Sequence, residues 1–224
     1  MTGQGYFYTG WGNYATGQWV YGYGLSSADV PTSYLDIDSI GRYSNVAASG
    51  DRFGLVWNDG AYDGTGSQVL QVSIRNASTA QVASTTLGLA TLTKKAAIAA
   101  RAGGGFAVIW NEQTTIKYQE ISATGATLCG PISRSFPDFL PDQMVPTKRG
   151  FLAVSGNNHT VKLQEVLAGC TWGSNFPSIG TGTETNRAHI SGGTGGFAVV
   201  WDRKHGSAVD DYIYARTFGP NLCD

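Results

Sequence analysis

The sequence predicts an all-β fold made from a repeated four-stranded unit, and three observations support this prediction. Glycine is frequent, with 31 residues among 224, about twice its average share. Charged residues make up only 14% of the chain, and hydrophobic residues make up 42%, which is enough for a packed core. A Phe-x-x-x-Trp pattern recurs along almost the whole chain. Frequent turns and a regular repeat are typical of all-β repeat proteins.

The repeat is defined by the last position of the Phe-x-x-x-Trp pattern. That position falls at Trp11, Trp57, Trp110 and Trp201, and at Ser155 in a fifth copy that begins at Phe151. The spacing is therefore 45 to 53 residues, which is too long for a leucine-rich repeat. The enlarged unit contains a glycine-rich insertion at 59–68.

Each unit contains four strand-like pieces. The first piece is short and rich in small residues, at 45–49, 98–102, 144–148 and 190–193. The second is the Phe-x-x-x-Trp run, and glycines shortly before its Phe mark the turn into this strand. The third piece alternates apolar and polar residues, at 19–25, 69–74, 116–121, 161–166 and 212–218. The fourth lies at 34–37, 82–87, 129–133 and 176–180. Four strands per unit predict the blades of a β-propeller.

Residues 94–102 are the one segment with a competing helical interpretation. Their sequence, KKAAIAARA, has high intrinsic helix propensity. The equivalent pieces of other units contain Pro146 and the pair Gly192-Gly193, which helices disfavour. The repeat alignment therefore predicts an innermost strand, where small residues suit the crowded propeller axis.

The chain is predicted to form a single propeller domain of about five blades, with units near 1–41, 42–94, 95–139, 140–186 and 187–224. The first unit lacks its first strand and the last unit lacks its fourth, which gives eighteen strands. Closure of the ring within one chain is favoured. The alternatives are a piece of a larger propeller and a second chain that supplies the missing strands.

The five units resemble the loosely defined β-propeller repeats of bacterial secreted and surface proteins. The segments GFAVVWD (196–202) and YIYAR (212–216) match that repeat best. The resemblance covers nearly the whole chain and implies the fold, whereas it implies little about activity because propellers host unrelated functions. The chain departs from the repeat at Ser155.

Composition and spacing exclude several classes of function. The net charge of −1 and the scattered basic residues argue against nucleic acid as a partner. No apolar run is long enough for a membrane span. Neither the histidines nor the glycine-rich insertion has metal-site spacing, so no metal or cofactor is predicted. Cys129, Cys170 and Cys223 are expected to be free thiols unless the terminal segment that carries Cys223 folds back, because equivalent points on neighbouring blades should lie far apart.

The candidate ligand-binding residues are aromatic and polar residues outside the repeat pattern. Most belong to the loops between the second and third strands of a unit, where hydroxyl-rich ligands would meet rings and hydrogen-bonding groups. The set is Tyr14, Trp19, Asp59, Tyr62, Asp63, His159, Trp172, Asp202 and Arg203. The repeat tryptophans could serve as sugar platforms, but we expect them to fill the space between blades.

These observations predict a non-catalytic, lectin-like binding module for a carbohydrate or a protein ligand. No catalytic motif is visible, so the chain is expected not to be an enzyme. Two alternatives stay open: a structural subunit that assembles through its open terminal strands, and a propeller glycosidase with paired carboxylates. The resemblance implies an extracellular or cell-surface location, although residues 1–10 lack the features of a signal peptide.

Overall fold

The computed structural model describes residues 6–14, 17–25, 31–38, 42–59, 69–89, 95–157, 160–181, 188–193, 195–204 and 211–219. This part of the chain contains eighteen β-strands. They are β1 (Tyr6–Tyr14), β2 (Gly17–Leu25), β3 (Pro31–Asp38), β4 (Arg42–Ser49), β5 (Arg52–Asp59), β6 (Val69–Asn76), β7 (Gln81–Leu89), β8 (Ala96–Ala100), β9 (Phe106–Glu112), β10 (Thr115–Ile121), β11 (Thr127–Ser135), β12 (Gln143–Pro146), β13 (Gly150–Asn157), β14 (Thr160–Leu167), β15 (Thr171–Thr181), β16 (Ala188–Gly193), β17 (Gly196–Lys204) and β18 (Asp211–Phe218). In these residues no helix is long and apolar enough to cross a membrane.

The strands form five antiparallel sheets, each made of strands consecutive in the chain. Blade 1 comprises β1–β3, blade 2 β4–β7, blade 3 β8–β11, blade 4 β12–β15 and blade 5 β16–β18. The first strands of successive blades pack side by side, β4 on β8, β8 on β12 and β12 on β16. The predicted β-propeller fold is therefore confirmed, with three four-stranded blades between two three-stranded ones.

Strand β8 confirms the strand interpretation of the alanine-rich segment. Its residues Ala97 and Ala99 are at most 3% exposed. The same requirement for small residues is seen at Gly54, where an added Cβ would come within 2.8 Å of the side chains of Ile98 and Phe106. Blade-to-blade packing therefore overrides the local helix propensity of this segment.

Three of the repeat tryptophans fill the space between blades, as expected, whereas the side chain of Trp11 lies outside the described part of the chain. Trp57, Trp110 and Trp201 are 8%, 0% and 6% exposed. Trp110 belongs to a core cluster with Val56 and Val72 of the preceding blade, and Trp201 packs in a cluster with Val154 of blade 4. The Phe-x-x-x-Trp face of each of these blades therefore packs against the blade before it.

Blade 4 replaces the missing tryptophan with aromatic residues from outside the repeat. The Ser155 side chain is fully buried, and its Oγ accepts a hydrogen bond from the backbone N of Leu140 at 2.9 Å. Phe136 and Phe139, from the connection between β11 and β12, stack at 4.9 Å and join the core cluster that contains Phe151. The connection thus packs over the position that tryptophan occupies elsewhere.

Blade 5 leaves one face uncovered in the described part of the chain. Val200 is 36% exposed and Ile213 is 80% exposed. The residues equivalent to Val200 in blades 2, 3 and 4 are Val56, Ile109 and Val154. All three are fully buried against the next blade. The strands of blade 5 pair only with one another, as do those of blade 1, so the described strands do not show the favoured closure of the ring.

Cys129 and Cys170 form a disulfide bond, so the expectation of free thiols is wrong for this pair. Their Cα atoms are 6.1 Å apart, within the range that a disulfide requires. The two positions are not equivalent. Cys129 lies within β11, the last strand of blade 3, whereas Cys170 lies in the turn between β14 and β15. Cys223 lies outside the described residues.

Candidate functional site

The two ends of the blades form two faces of the propeller. We define the loop face by the connections between second and third strands, such as residues 113–114, and by the connections between blades. The opposite turn face carries the turns between first and second strands, such as 101–105, and between third and fourth strands, such as 168–170.

The structure places several predicted site residues on strands that end at the loop face. Asp59 and Tyr14 are the last residues of β5 and β1, and Asp202 and Arg203 lie near the end of β17. Trp19 lies near the start of β2. The side chains of Tyr14, Trp19 and Arg203, and all of Tyr62, Asp63 and His159, lie outside the described part of the chain.

Asp59 belongs to a polar chain across blade 2. Its Oδ2 accepts a hydrogen bond from Gln71 Nε2 at 3.4 Å, and Gln71 Oε1 accepts one from Thr86 Oγ1 at 3.2 Å. Asp202, by contrast, is exposed. These two carboxylates belong to blades 2 and 5 respectively.

Trp172 lies toward the opposite face from the candidates that the structure places at the loop face. It is the second residue of β15, pairs with Val166 and is next to the turn on the turn face. Its ring is edge-on to that of Tyr118, with centroids 6.3 Å apart, and it packs against the core between blades 3 and 4. The structure therefore separates Trp172 from the loop-face residues.

Sequence reasoning missed a polar cluster at the innermost strands on the loop face. We call Asn45, Lys95 and Asp142 the mouth cluster. Lys95 and Asp142 form an ion pair, and Asn45 Nδ2 donates to the backbone carbonyl of Asp142 at 3.0 Å. Asn45 is on β4, Lys95 directly precedes β8, and Asp142 directly precedes β12. Three consecutive blades thus contribute one residue each.

The carboxylate of Asp142 is the best-held group of the mouth cluster. Its Oδ2 accepts hydrogen bonds from the backbone N of Gly156 at 2.7 Å and of Ala188 at 3.1 Å. Burial raises the pKa of Asp142 above its ordinary value, and the charge of Lys95 together with these hydrogen bonds partly offsets the increase. A carboxylate so placed connects blades 3, 4 and 5.

Two residues of the mouth cluster, Lys95 and Asp142, occupy equivalent positions in the repeat, directly before the first strand of a blade. Asn111 and Gly156 each follow the last position of the Phe-x-x-x-Trp pattern. The backbone N of Asn111 donates to the Lys95 carbonyl, and that of Gly156 donates to the Asp142 side chain. The sequence signal is therefore a charged residue directly before the first strand of a unit.

A groove of about 630 Å³ opens on the turn face between blades 2 and 3. Small residues from the turns at 48–52 and 100–105 form most of its lining, and its charged residues are Asp51, Arg52 and Arg101. Arg101 is held by the carboxylate of Glu120 at 2.5 Å and by the Gly104 carbonyl at 2.9 Å. The sequence gives no signal for this groove, because its lining consists mostly of small turn residues that the repeat pattern does not single out.

No family model matches the chain, and no curated protein matches it in sequence. Solved structures do match. A protein assigned provisionally as a 6-phosphogluconolactonase, from Bacteroides uniformis ATCC 8492, has a TM-score of 0.58 and 11% identity, covering 97% of this chain and 65% of that one. A chain in the complex of BBS1N with ARL6DN has a TM-score of 0.51 and 10% identity, covering 88% of this chain and 60% of that one. The chain thus spans less than two thirds of the length of each of these two proteins.

A third match corrects the prediction that the protein is not an enzyme. A protein assigned provisionally as an exo-β-1,3-galactanase, from Bifidobacterium bifidum s17, has a TM-score of 0.52 and 9% identity, covering 94% of this chain and 87% of that one. The likeness shows a shared fold. Because this fold is found in a protein assigned to glycoside cleavage, the absence of familiar catalytic motifs cannot exclude catalysis, and the exclusion was wrong.

Proposed function

We propose that the protein binds a carbohydrate on its loop face, with the mouth cluster at the centre of the site. The observation that carries the proposal is the meeting of Asn45, Lys95 and Asp142 from three consecutive blades. Lys95 is 22% exposed in its side chain, so its ammonium group can reach a ligand while it stays paired with Asp142. Ligand sites favour such convergent polar groups on a rigid scaffold.

The chemistry of the cluster suits a polyhydroxylated ligand. An ammonium group has three donors, of which the ion pair with Asp142 uses one, so Lys95 can donate to sugar hydroxyls. Asp142 Oδ1 keeps one further acceptor position beside it, because Oδ2 already accepts two backbone hydrogen bonds. The candidates Asp59 and Asp202 would extend hydrogen bonding toward the rim of the loop face.

Binding to immobilised glycans tests this proposal with the full chain. The Lys95→Gln variant keeps a donor for Asp142 but removes the charge, and we expect it to weaken glycan binding by about tenfold, the effect of losing one charged hydrogen bond. Lys117→Gln is the matched control, because Lys117 also forms an ion pair, with Glu112, but lies outside the mouth cluster. Absence of glycan binding, or equal binding by both variants, contradicts the proposal.

Cleavage of a glycoside is the second candidate function, and Asp142 favours it. A buried carboxyl with a raised pKa is what a general acid requires. Hydrolysis also requires a second carboxylate about 5 to 9.5 Å away, and the mouth cluster itself supplies only one. The test is release of reducing sugar from polysaccharides by the full chain. Release by the wild type that is lost in Asp142→Asn would support this candidate over simple binding.

An extracellular or cell-surface location is part of the same proposal. The disulfide between Cys129 and Cys170 supports it, because disulfides persist in oxidising compartments and are rare in the cytosol. Alkylation of free thiols in freshly lysed source cells tests it. Modification of both cysteines before any reductant is added would contradict this location.

A further inference from the structure

A buried carboxylate lies beside the disulfide between blades 3 and 4. Glu120 on β10 is directly opposite Cys129 on β11, and Cys170 comes from the turn between β14 and β15. The carboxylate oxygen and the two Sγ atoms all lie within 4.8 Å of one another. Glu120 is 5% exposed, whereas both cysteines are half-buried and therefore within reach of a small reductant.

Two neighbouring side chains hold Glu120 in place. Arg101 Nε donates to Glu120 Oε2 at 2.5 Å, and the Tyr118 hydroxyl donates to Glu120 Oε1 at 2.8 Å. Each carboxylate oxygen keeps a further lone pair. Carboxylates that bind metals are commonly fixed by hydrogen bonds of this kind, which orient the ligand before the metal arrives.

The geometry and the charges fit a divalent cation once the sulfurs are reduced. A tetrahedral zinc ion, with Zn–S near 2.3 Å and Zn–O near 2.0 Å, places its ligand atoms about 3.5 to 3.8 Å apart. Two thiolates and Glu120 carry three negative charges, and Arg101 carries one positive charge. A divalent cation makes the group neutral, which favours burial.

We propose that Cys129, Cys170 and Glu120 form a zinc site when the disulfide is reduced, with water as the fourth ligand. Thiolates and a carboxylate in tetrahedral arrangement favour zinc over magnesium or calcium. The proposal is independent of carbohydrate binding, because the site is next to the turn face and the mouth cluster is on the loop face.

The two redox states exchange by ordinary thiol chemistry. Two molecules of a small thiol supply two electrons and two protons, the S–S bond breaks, and the reductant departs as its own disulfide. Zinc binding then releases the protons of the two protein thiols. Either the disulfide or the zinc ion thus connects β11 of blade 3 with the β14–β15 turn of blade 4.

Zinc retention by the reduced full chain tests the proposal. The chain is reduced with a thiol, freed of it without oxygen, mixed with zinc chloride and separated by gel filtration, and bound zinc is measured by atomic absorption. We expect one zinc ion per reduced chain and none on the oxidised chain. Cobalt(II) should give a thiolate charge-transfer band that the double variant Cys129→Ser and Cys170→Ser lacks. Equal zinc in both redox states would overturn the proposal.

Matched variants distinguish this site from adventitious binding. Glu120→Gln should weaken zinc binding by at least about tenfold, in the range seen for altered metal-site residues. Glu165→Gln is the control, because Glu165 is the repeat equivalent of Glu120 and is 2% exposed. Cys223→Ser controls for the third cysteine. Unchanged affinity in Glu120→Gln would overturn the proposal, and so would zinc bound only by a chain whose near-UV circular dichroism shows unfolding.

Discussion

At the scale of single residues, Asp142 shows how one side chain connects several blades. Its carboxylate accepts hydrogen bonds from Gly156 and Ala188 and pairs with Lys95. Buried backbone N–H groups need acceptors, and these two find theirs in a side chain rather than in a neighbouring strand. The same residue is therefore important for the fold and central to the proposed site.

Asp142→Ala should lower the free energy of unfolding by about 2 to 4 kcal/mol, because two buried N–H groups and one cation lose their partner. Urea unfolding followed by tryptophan fluorescence measures the loss. Asp51→Ala is the control, because Asp51 is 67% exposed and its removal should change stability by less than about 0.5 kcal/mol. Similar losses in the two variants would show that Asp142 does not hold the blades together.

The pH dependence of stability should also report on Asp142. Because burial raises its pKa in the folded chain above the ordinary value of 3.8, the folded state binds a proton more readily than the unfolded state. The contribution of this group to the free energy of unfolding therefore increases as pH falls through the folded pKa toward 3.8. Urea unfolding over this pH range should show wild type gaining stability relative to Asp142→Asn. A constant difference would contradict the raised pKa.

At the scale of elements, the turn between β8 and β9 depends on one glycine more than on its neighbour. Gly104 and Gly105 have φ angles of +84° and +82°, but only Gly105 is crowded. An added Cβ would lie 2.3 Å from the carbonyl oxygen of Ile121 at Gly105, and would meet nothing within 4 Å at Gly104. Substitutions at the two positions therefore distinguish the cost of backbone strain, which both would have, from the cost of steric overlap, which only Gly105 would have.

Gly104→Ala should cost about 1 to 2 kcal/mol, the strain of an alanine at positive φ. Gly105→Ala should cost at least about 1 kcal/mol more, because β10 must also move. Thermal unfolding of the two variants measures the difference. Equal melting temperatures would show that the turn moves freely away from Ile121.

The strands were predictable from the sequence because their signals are local. The Phe-x-x-x-Trp runs repeat one motif and the third pieces alternate apolar and polar residues, and both patterns are visible without knowledge of neighbouring blades. The disulfide and the mouth cluster could not be predicted in the same way. Cys129 and Cys170 are 41 residues apart, and Lys95 and Asp142 are 47 apart. Whether such residues meet depends on the rotation between blades, which local periodicity does not specify.

At the scale of the whole molecule, the disulfide is a covalent connection between two blades. Removing it with the double variant Cys129→Ser and Cys170→Ser should lower the free energy of unfolding by about 4 kcal/mol, from the closure entropy of its 41-residue separation. Chemical denaturation without zinc measures this loss. Cys223→Ser should leave the midpoint unchanged. A double variant as stable as wild type would show that noncovalent packing alone sets the stability of blades 3 and 4.

The uncovered face of blade 5 predicts a contrast between two equivalent valines. Val154→Lys should cost about 4 kcal/mol or more, because it buries an unpaired charge between blades 4 and 5. Val200→Lys should change stability by less than about 1 kcal/mol, because Val200 is 36% exposed. Thermal unfolding compares them. A large loss in Val200→Lys would show that this face is covered in solution, and light scattering would then distinguish closure within one chain from association of two.

The serine at position 155 has a consequence for redesign of the repeat. Phe136 and Phe139 fill the space beside it, and the backbone N of Leu140 donates to its Oγ. A tryptophan introduced at 155 alone would meet an occupied space, and loss of the phenylalanines alone would leave a cavity. Converting blade 4 to the regular Phe-x-x-x-Trp unit therefore requires the residue at 155 and the connection before β12 to be exchanged together.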